Sequence, residues 1–177
     1  MRNLTMLSAC LLAACGGAGE EKKAGQAQAA TVEAGQWETS FEVTAIRSTD
    51  KTTPAVKAAV GDKESGPTCI PAGGEASPPG ELFAGPGYKC QTQSSYIRNG
   101  RINVSLKCTR AGINGDMMQT VQGSYTGTSF EGTVETLTYL SGPGDFAMTR
   151  KITGRKTGAT CAAAEEPGLE KSGSRGG

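Results

Sequence analysis

The chain has 177 residues, with 18 Lys and Arg against 17 Asp and Glu, 26 Gly, 6 Cys, one Trp and no His, for a formal net charge of +1. The absence of His excludes every mechanism that needs an imidazole base or an imidazole metal ligand, and a near-zero charge supplies no overall field for gathering nucleic acid or an anionic membrane. Glycine at roughly twice its usual share of about 7%, with aromatics at 5% of residues, predicts a thin core that needs covalent support.

Residues 1–14 read as a secretory signal: one charge at Arg2, an apolar run from Leu4, then small residues before a cysteine. The run is shorter than the roughly 20 apolar residues that span a bilayer. Leu12-Ala13-Ala14-Cys15 has the form of a bacterial lipobox, in which the cysteine is acylated and becomes the first residue after cleavage. Leu7-Ser8-Ala9-Cys10 fits the same form, but cutting there leaves a very short apolar run and an odd number of cysteines in a compartment where thiols pair. Cys15 is therefore the expected lipidation site, against the competing reading of an ordinary cleaved signal and a soluble periplasmic protein. Gly16 and Gly17 follow it in place of Asp, which points to the outer membrane, facing the periplasm. Each buried acyl CH₂ contributes about 0.8 kcal/mol, so several chains make a durable anchor.

After Cys15, residues 16–34 are mostly Gly, Ala, Gln, Glu and Lys with almost nothing to bury, so residues 15–34 read as a lipidated cysteine followed by a flexible tether. The first strand follows, with Trp37, Thr39, Phe41, Val43 and Ala45 on one face. Residues 51–61 suit a short helix around Pro54 to Val60, with Pro54 in its first turn, and Ser65 to Gly87 is crowded with Pro and Gly and reads as loop. Further strands are expected at Tyr88 to Ile97, Arg101 to Thr109, Met117 to Thr126, Thr128 to Leu140 and Phe146 to Gly154, each bounded by Gly, Asn or Pro. Residues 162–177 carry one large apolar residue, Leu169, and read as a disordered tail. The folded unit is thus expected over residues 35–161: mainly β, a single antiparallel meander sheet, strongly curved or a partial barrel, with one short helix.

The hairpin around Asn99-Gly100 can be tested for register. A two-residue loop pairs Tyr96 with Asn103 and puts apolar residues on both faces, whereas a three-residue loop pairs Ile97 with Arg101 and gathers Tyr96, Ile102, Val104, Leu106, Cys90 and Cys108 on one face. The second is preferred, and it sets Cys90 opposite Cys108 within disulfide range. Two pairings stay open, Cys90 with Cys108 and Cys69 with Cys161, or Cys69 with Cys90 and Cys108 with Cys161. No two of these cysteines are spaced C-x-x-C, so neither zinc nor redox chemistry is expected, and no cofactor or metal site is implied.

Lys89, Arg101 and Lys107 fall on the polar face of that hairpin, as either an anion-binding patch or a solvated face guarded against edge pairing. Arg150, Lys151, Arg155 and Lys156 form a second basic stretch. Trp37 would stack a ligand or anchor the core, and Phe41, Tyr96, Tyr125, Phe130 and Phe146 would line a pocket or fill it. Glu131 with Glu135, like Glu38 with Glu42, stand about 13 Å apart on a strand, too far for paired carboxylate catalysis. No catalytic residue is assigned.

Gly35-Gln36-Trp37-Glu38 soon after a lipobox, Gly123-Ser124-Tyr125-Thr126-Gly127 with Phe130-Glu131-Gly132, and Lys151-Ile152-Thr153-Gly154-Arg155-Lys156-Thr157-Gly158 before Cys161, with the four later cysteines, resemble the domain-of-unknown-function 3617 family of small proteobacterial envelope proteins. The likeness covers residues 35–161 and implies an envelope location and disulfides. Members more often carry a helical segment after the position of Cys69, where this chain has Pro, Gly and Ala. The resemblance brings no activity and no catalytic residues. The functional expectation is a lipid-anchored binding or structural module, holding the membrane through its acyl chains and taking a lipidic or anionic envelope ligand, with no nucleic-acid partner. An accessory subunit of an envelope complex is the alternative, and an enzyme is not expected.

Overall fold

The computed structural model describes residues 31–161. Seven strands form, β1 (Gly35–Ser48), β2 (Lys63–Ile70), β3 (Tyr88–Arg98), β4 (Arg101–Arg110), β5 (Ile113–Tyr125), β6 (Ser129–Leu140) and β7 (Phe146–Gly158), with one helical turn, α1 (Glu81–Ala84), and period-two burial is clear in β1 and β4 to β7. All pair antiparallel in the order β2-β1-β7-β6-β5-β4-β3. A meander runs from β3 to β7, and the β1–β2 hairpin extends it beside β7. The sheet curves into the expected half-barrel.

The inner face holds the core. Trp37, Phe41, Leu106, Val121, Phe130 and Ile152 are buried there, and α1 lies against them with Phe83 5.5 Å from Phe130, ring centre to ring centre. Gly154 makes room for that packing, since a methyl group at its position would overlap the Phe130 ring. A second, smaller cluster of Val43, Phe146 and Met148 is covered by Ile46, Val56 and Ala58. Both disulfides form, Cys90 with Cys108 and Cys69 with Cys161.

Several expectations are corrected. No helix forms at residues 54–60. Inside that segment the Ala55 N–H goes to the Gly144 carbonyl at 2.9 Å and the Ala59 N–H to the Asp62 carboxylate at 2.8 Å, bonds that compete with a helical ladder. Part of the stretch read as loop is β2, an edge strand where Pro67 is tolerated because its missing N–H costs no interior bond. Val32, in the stretch read as tether, is fully buried.

The Asn99-Gly100 turn adopts the two-residue form that the face argument rejected, with φ of 53° and 68° at its two residues, so Arg98 pairs with Arg101 and Ile97 with Ile102. Ile97 is buried and Tyr96 is 40% exposed, the reverse of the expectation. A bulge between Thr92 and Ser94 shifts the register by one, which returns Cys90 to its place opposite Cys108 with Cα atoms 4.1 Å apart. A second irregularity between Val43 and Ala45 turns Ala45 outward and Ile46 toward the smaller cluster.

Candidate functional site

In β7 the inward positions read Phe146, Met148, Arg150, Ile152, so the alternation that buries three apolar side chains also carries a guanidinium inside. Arg150 is 2% exposed. Its Nη1 donates to Glu64 Oε1 at 2.8 Å and its Nη2 to the Ala84 carbonyl at 2.7 Å. The guanidinium carbon lies 4.8 Å from the Phe41 ring centre and 5.1 Å from that of Tyr88. Glu64 is shared: Arg110 Nη2 lies 3.7 Å from its other oxygen, while Arg110 Nη1 donates to the Tyr88 hydroxyl at 3.2 Å and stacks 4.7 Å over the same ring. Five strands thus converge here, with two guanidinium groups to one carboxylate. Burial pushes the Arg150 pKa below the ordinary arginine value while Tyr88 and Glu64 oppose the shift, and arginine starts so high that the group stays charged.

The remaining donors of Arg150 raise the chemical question. Its Nε has no hydrogen-bond partner among the described residues, and neither do Gln119 Nε2 and Oε1 or Thr136 Oγ1. Gln119 and Thr136 are 1% and 2% exposed, sit directly opposite one another across β5 and β6, and Thr136 in turn opposes Met148. A buried polar group left unpaired costs about 1 to 3 kcal/mol, so a row of them on one inner face marks a place built for something polar.

A cavity of about 250 Å³ adjoins Arg150 and Met148, while Gln119 and Thr136 lie outside its lining. Val43, Val56, Ala58 and Met148 give it apolar walls, and Arg150, Arg110, Glu64 and Lys63 a polar side. Larger depressions of about 600 and 890 Å³ are more open, one between Glu38 and Arg155 and the other at the β3–β4 tip.

The residues singled out from sequence fall elsewhere. Trp37 is fully buried, 5.6 Å from Phe130 between ring centres, with its Nε1 donating to the Glu33 carbonyl at 3.0 Å, so it anchors the core and offers no free face. Lys89, Arg101 and Lys107 are exposed on the outer face. Lys107 is paired at 2.9 Å with Asp116, an acid from the next strand that the local sequence did not include. Six residues of strand, about 20 Å, separate Arg101 from Lys107, and Arg101 instead lines the depression at the β3–β4 tip with Tyr96 and Gln122. Cys15, the signal at residues 1–14 and the tail at 162–177 lie outside the described residues. The sequence reading placed Arg150 with its basic neighbours Lys151, Arg155 and Lys156. The overlooked signal was its parity with Phe146, Met148 and Ile152.

A family model described as "Protein of unknown function (DUF3617)" matches residues 32–161. No curated protein and no solved structure matches the chain.

Proposed function

The chain belongs to this family, whose description assigns no function, and from that premise we propose that it is a lipid-anchored envelope protein whose half-barrel binds a small ligand on the periplasmic side. The buried polar atoms of Arg150, Thr136 and Gln119 that lack hydrogen-bond partners among the described residues carry the binding part of the reading. A purely structural core gains nothing from such atoms, since replacing them by well-packed apolar groups is often neutral or stabilising. The lipobox at Cys15 carries the location. Two disulfides support it, because such bonds persist in oxidising compartments. The role is that of a binder and not an enzyme: the chain has no His, and the arginine cluster offers charge and shape without a nucleophile beside a base.

Native and then denaturing mass spectrometry of the exported chain tests the binding role. The expected result is an extra mass in the native spectrum that denaturation releases. Bare protein, together with a Gln119→Leu variant more stable than the parent, would sink it. Location is tested separately by labelling with a palmitate analogue, where Cys15→Ser should lose both the label and the membrane fraction.

A second reading, an accessory subunit of an envelope complex, is favoured by the exposure of Leu137 (39%) and Tyr139 (59%) on the outer face and by the unpaired edges of β2 and β3. Capture of one defined envelope partner that Leu137→Glu abolishes, with no released small molecule, would select it.

A further inference from the structure

We propose that the cavity beside Arg150 takes the carboxylate head and first carbons of a short-chain anionic amphiphile, an inference that rests on the binding role above and names its ligand class. The cavity carries an excess of positive charge. Lys57, Lys63, Arg110 and Arg150 border the cavity against two carboxylates, Asp62 and Glu64. Asp62 accepts the Ala59 N–H, Glu64 is shared between the two arginines, and Lys63 is paired with Glu42 at 3.5 Å, which leaves Lys57 and one arginine charge over. The balance left for a ligand is positive.

Guanidinium carries five N–H groups, of which the Glu64 and Ala84 bonds use one on each Nη nitrogen. The Nε–H has no partner among the described residues, and with almost no accessible surface it meets a ligand only where the covering segment at residues 56–58 gives way. A planar carboxylate is the acceptor that matches the unused donors of such a fork.

Val43, Val56, Ala58 and Met148 form an apolar wall that a free inorganic anion would leave unused. A volume of about 250 Å³ holds about eight groups of water size, enough for a carboxylate and a chain of roughly six carbons in all. A longer chain would have to leave through the opening.

The test is an amide NMR titration of the exported, disulfide-bonded chain with hexanoate, 1-hexanol and hexylammonium as probes. Saturable shifts confined to Val43, Met148, Arg150 and residues 56–58 are expected from hexanoate, with hexanol weaker by roughly tenfold or more, the effect of losing one charge-assisted hydrogen bond, and hexylammonium silent. Arg150→Met should abolish the effect but removes the partner of Glu64 and risks the fold. Ala58→Trp fills the cavity from the covering loop, leaves the arginine cluster in place, and should abolish hexanoate binding with the spectrum otherwise intact. Equal binding of hexanol and hexanoate would overturn the proposal, as would shifts scattered over Lys89 and Lys107, no shift at all, or nuclear Overhauser contacts showing a long-lived water on the Arg150 Nε–H in the presence of hexanoate. If hexanoate fails while the native mass spectrum still releases a bound molecule, this ligand class falls and the binding role stands; if both fail, both fall.

Discussion

Gly154 and Asp50 show how much single residues decide here. Gly154 lies under the Phe130 ring, which itself bridges Trp37 and Phe83. Gly154→Ala therefore overpacks the centre of the core, and urea denaturation should show a loss of about 1 to 3 kcal/mol. Asp50 joins the loop after β1 to the β6–β7 turn, its carboxylate accepting the backbone N–H groups of Thr52, Gly144 and Asp145 at 2.9, 2.8 and 3.1 Å and the Thr52 hydroxyl at 2.7 Å. These bonds, the Thr52 N–H foremost, hold its pKa well below the ordinary carboxylate range. A pKa depressed in the folded state gives a stabilisation that is complete above the unfolded-state value of about 3.9 and is lost as pH falls through the folded-state value. Protection of the Gly144 and Asp145 amides against hydrogen exchange should thus hold down to about pH 4 and fall only in stronger acid. In Asp50→Asn it should be lower and flat across the same range.

At the scale of the element, alternation made β1, β4, β5, β6 and β7 legible, because each buries one face and leaves the other wet. It failed where something other than alternation decides. β2 has Gly66 and Pro67 at its centre and is a strand only because β1 pairs with it, Trp37 facing Thr68. Residues 54–60 have the composition of a helix, yet Val56 and Ala58 pack inward at a spacing of two, as an extended segment does. The β3–β4 hairpin obeys both registers weighed from sequence, one on each side of Gln93. That residue is the extra one of the bulge, so deleting it should leave Ile97 facing Ile102 and Cys90 facing Cys108. Mass spectrometry should still find both disulfides, while sedimentation at high concentration should show more self-association, because a regular edge strand is a better template for pairing than a bulged one.

For the whole molecule, the disulfide framework was readable in part and the site was not. The sequence left two pairings open, and the structure selects Cys90 with Cys108 and Cys69 with Cys161, the first through a bulge that no pattern of alternation announced. The two bonds should differ in worth. Their sequence separations are 92 for Cys69–Cys161 and 18 for Cys90–Cys108, for which chain entropy gives about 4.6 and about 3.2 kcal/mol. Denaturation of the two double Cys→Ser variants should rank them in that order, and the reverse order would mean that the long bond constrains a denatured state already compact. Arg150 escaped the sequence reading because a charge beside Lys151, Arg155 and Lys156 looks like solvent-facing surface until the half-barrel brings Glu64, Ala84, Tyr88 and Phe41 around it from four other parts of the chain. Long-range assembly creates that site, and no local window of sequence contains it.

Because the first and last strands of the domain lie side by side, with Gln36 opposite Gly158, the chain enters and leaves at one end of the half-barrel. Val43, on the cavity wall, lies seven residues beyond Gln36 along β1, about 23 Å from that end. A biotin, fluorophore or fusion partner joined directly at residue 31 or residue 161 is therefore carried on a common side, and a sensor chip loaded through such a handle presents the arginine cavity to the flowing solution.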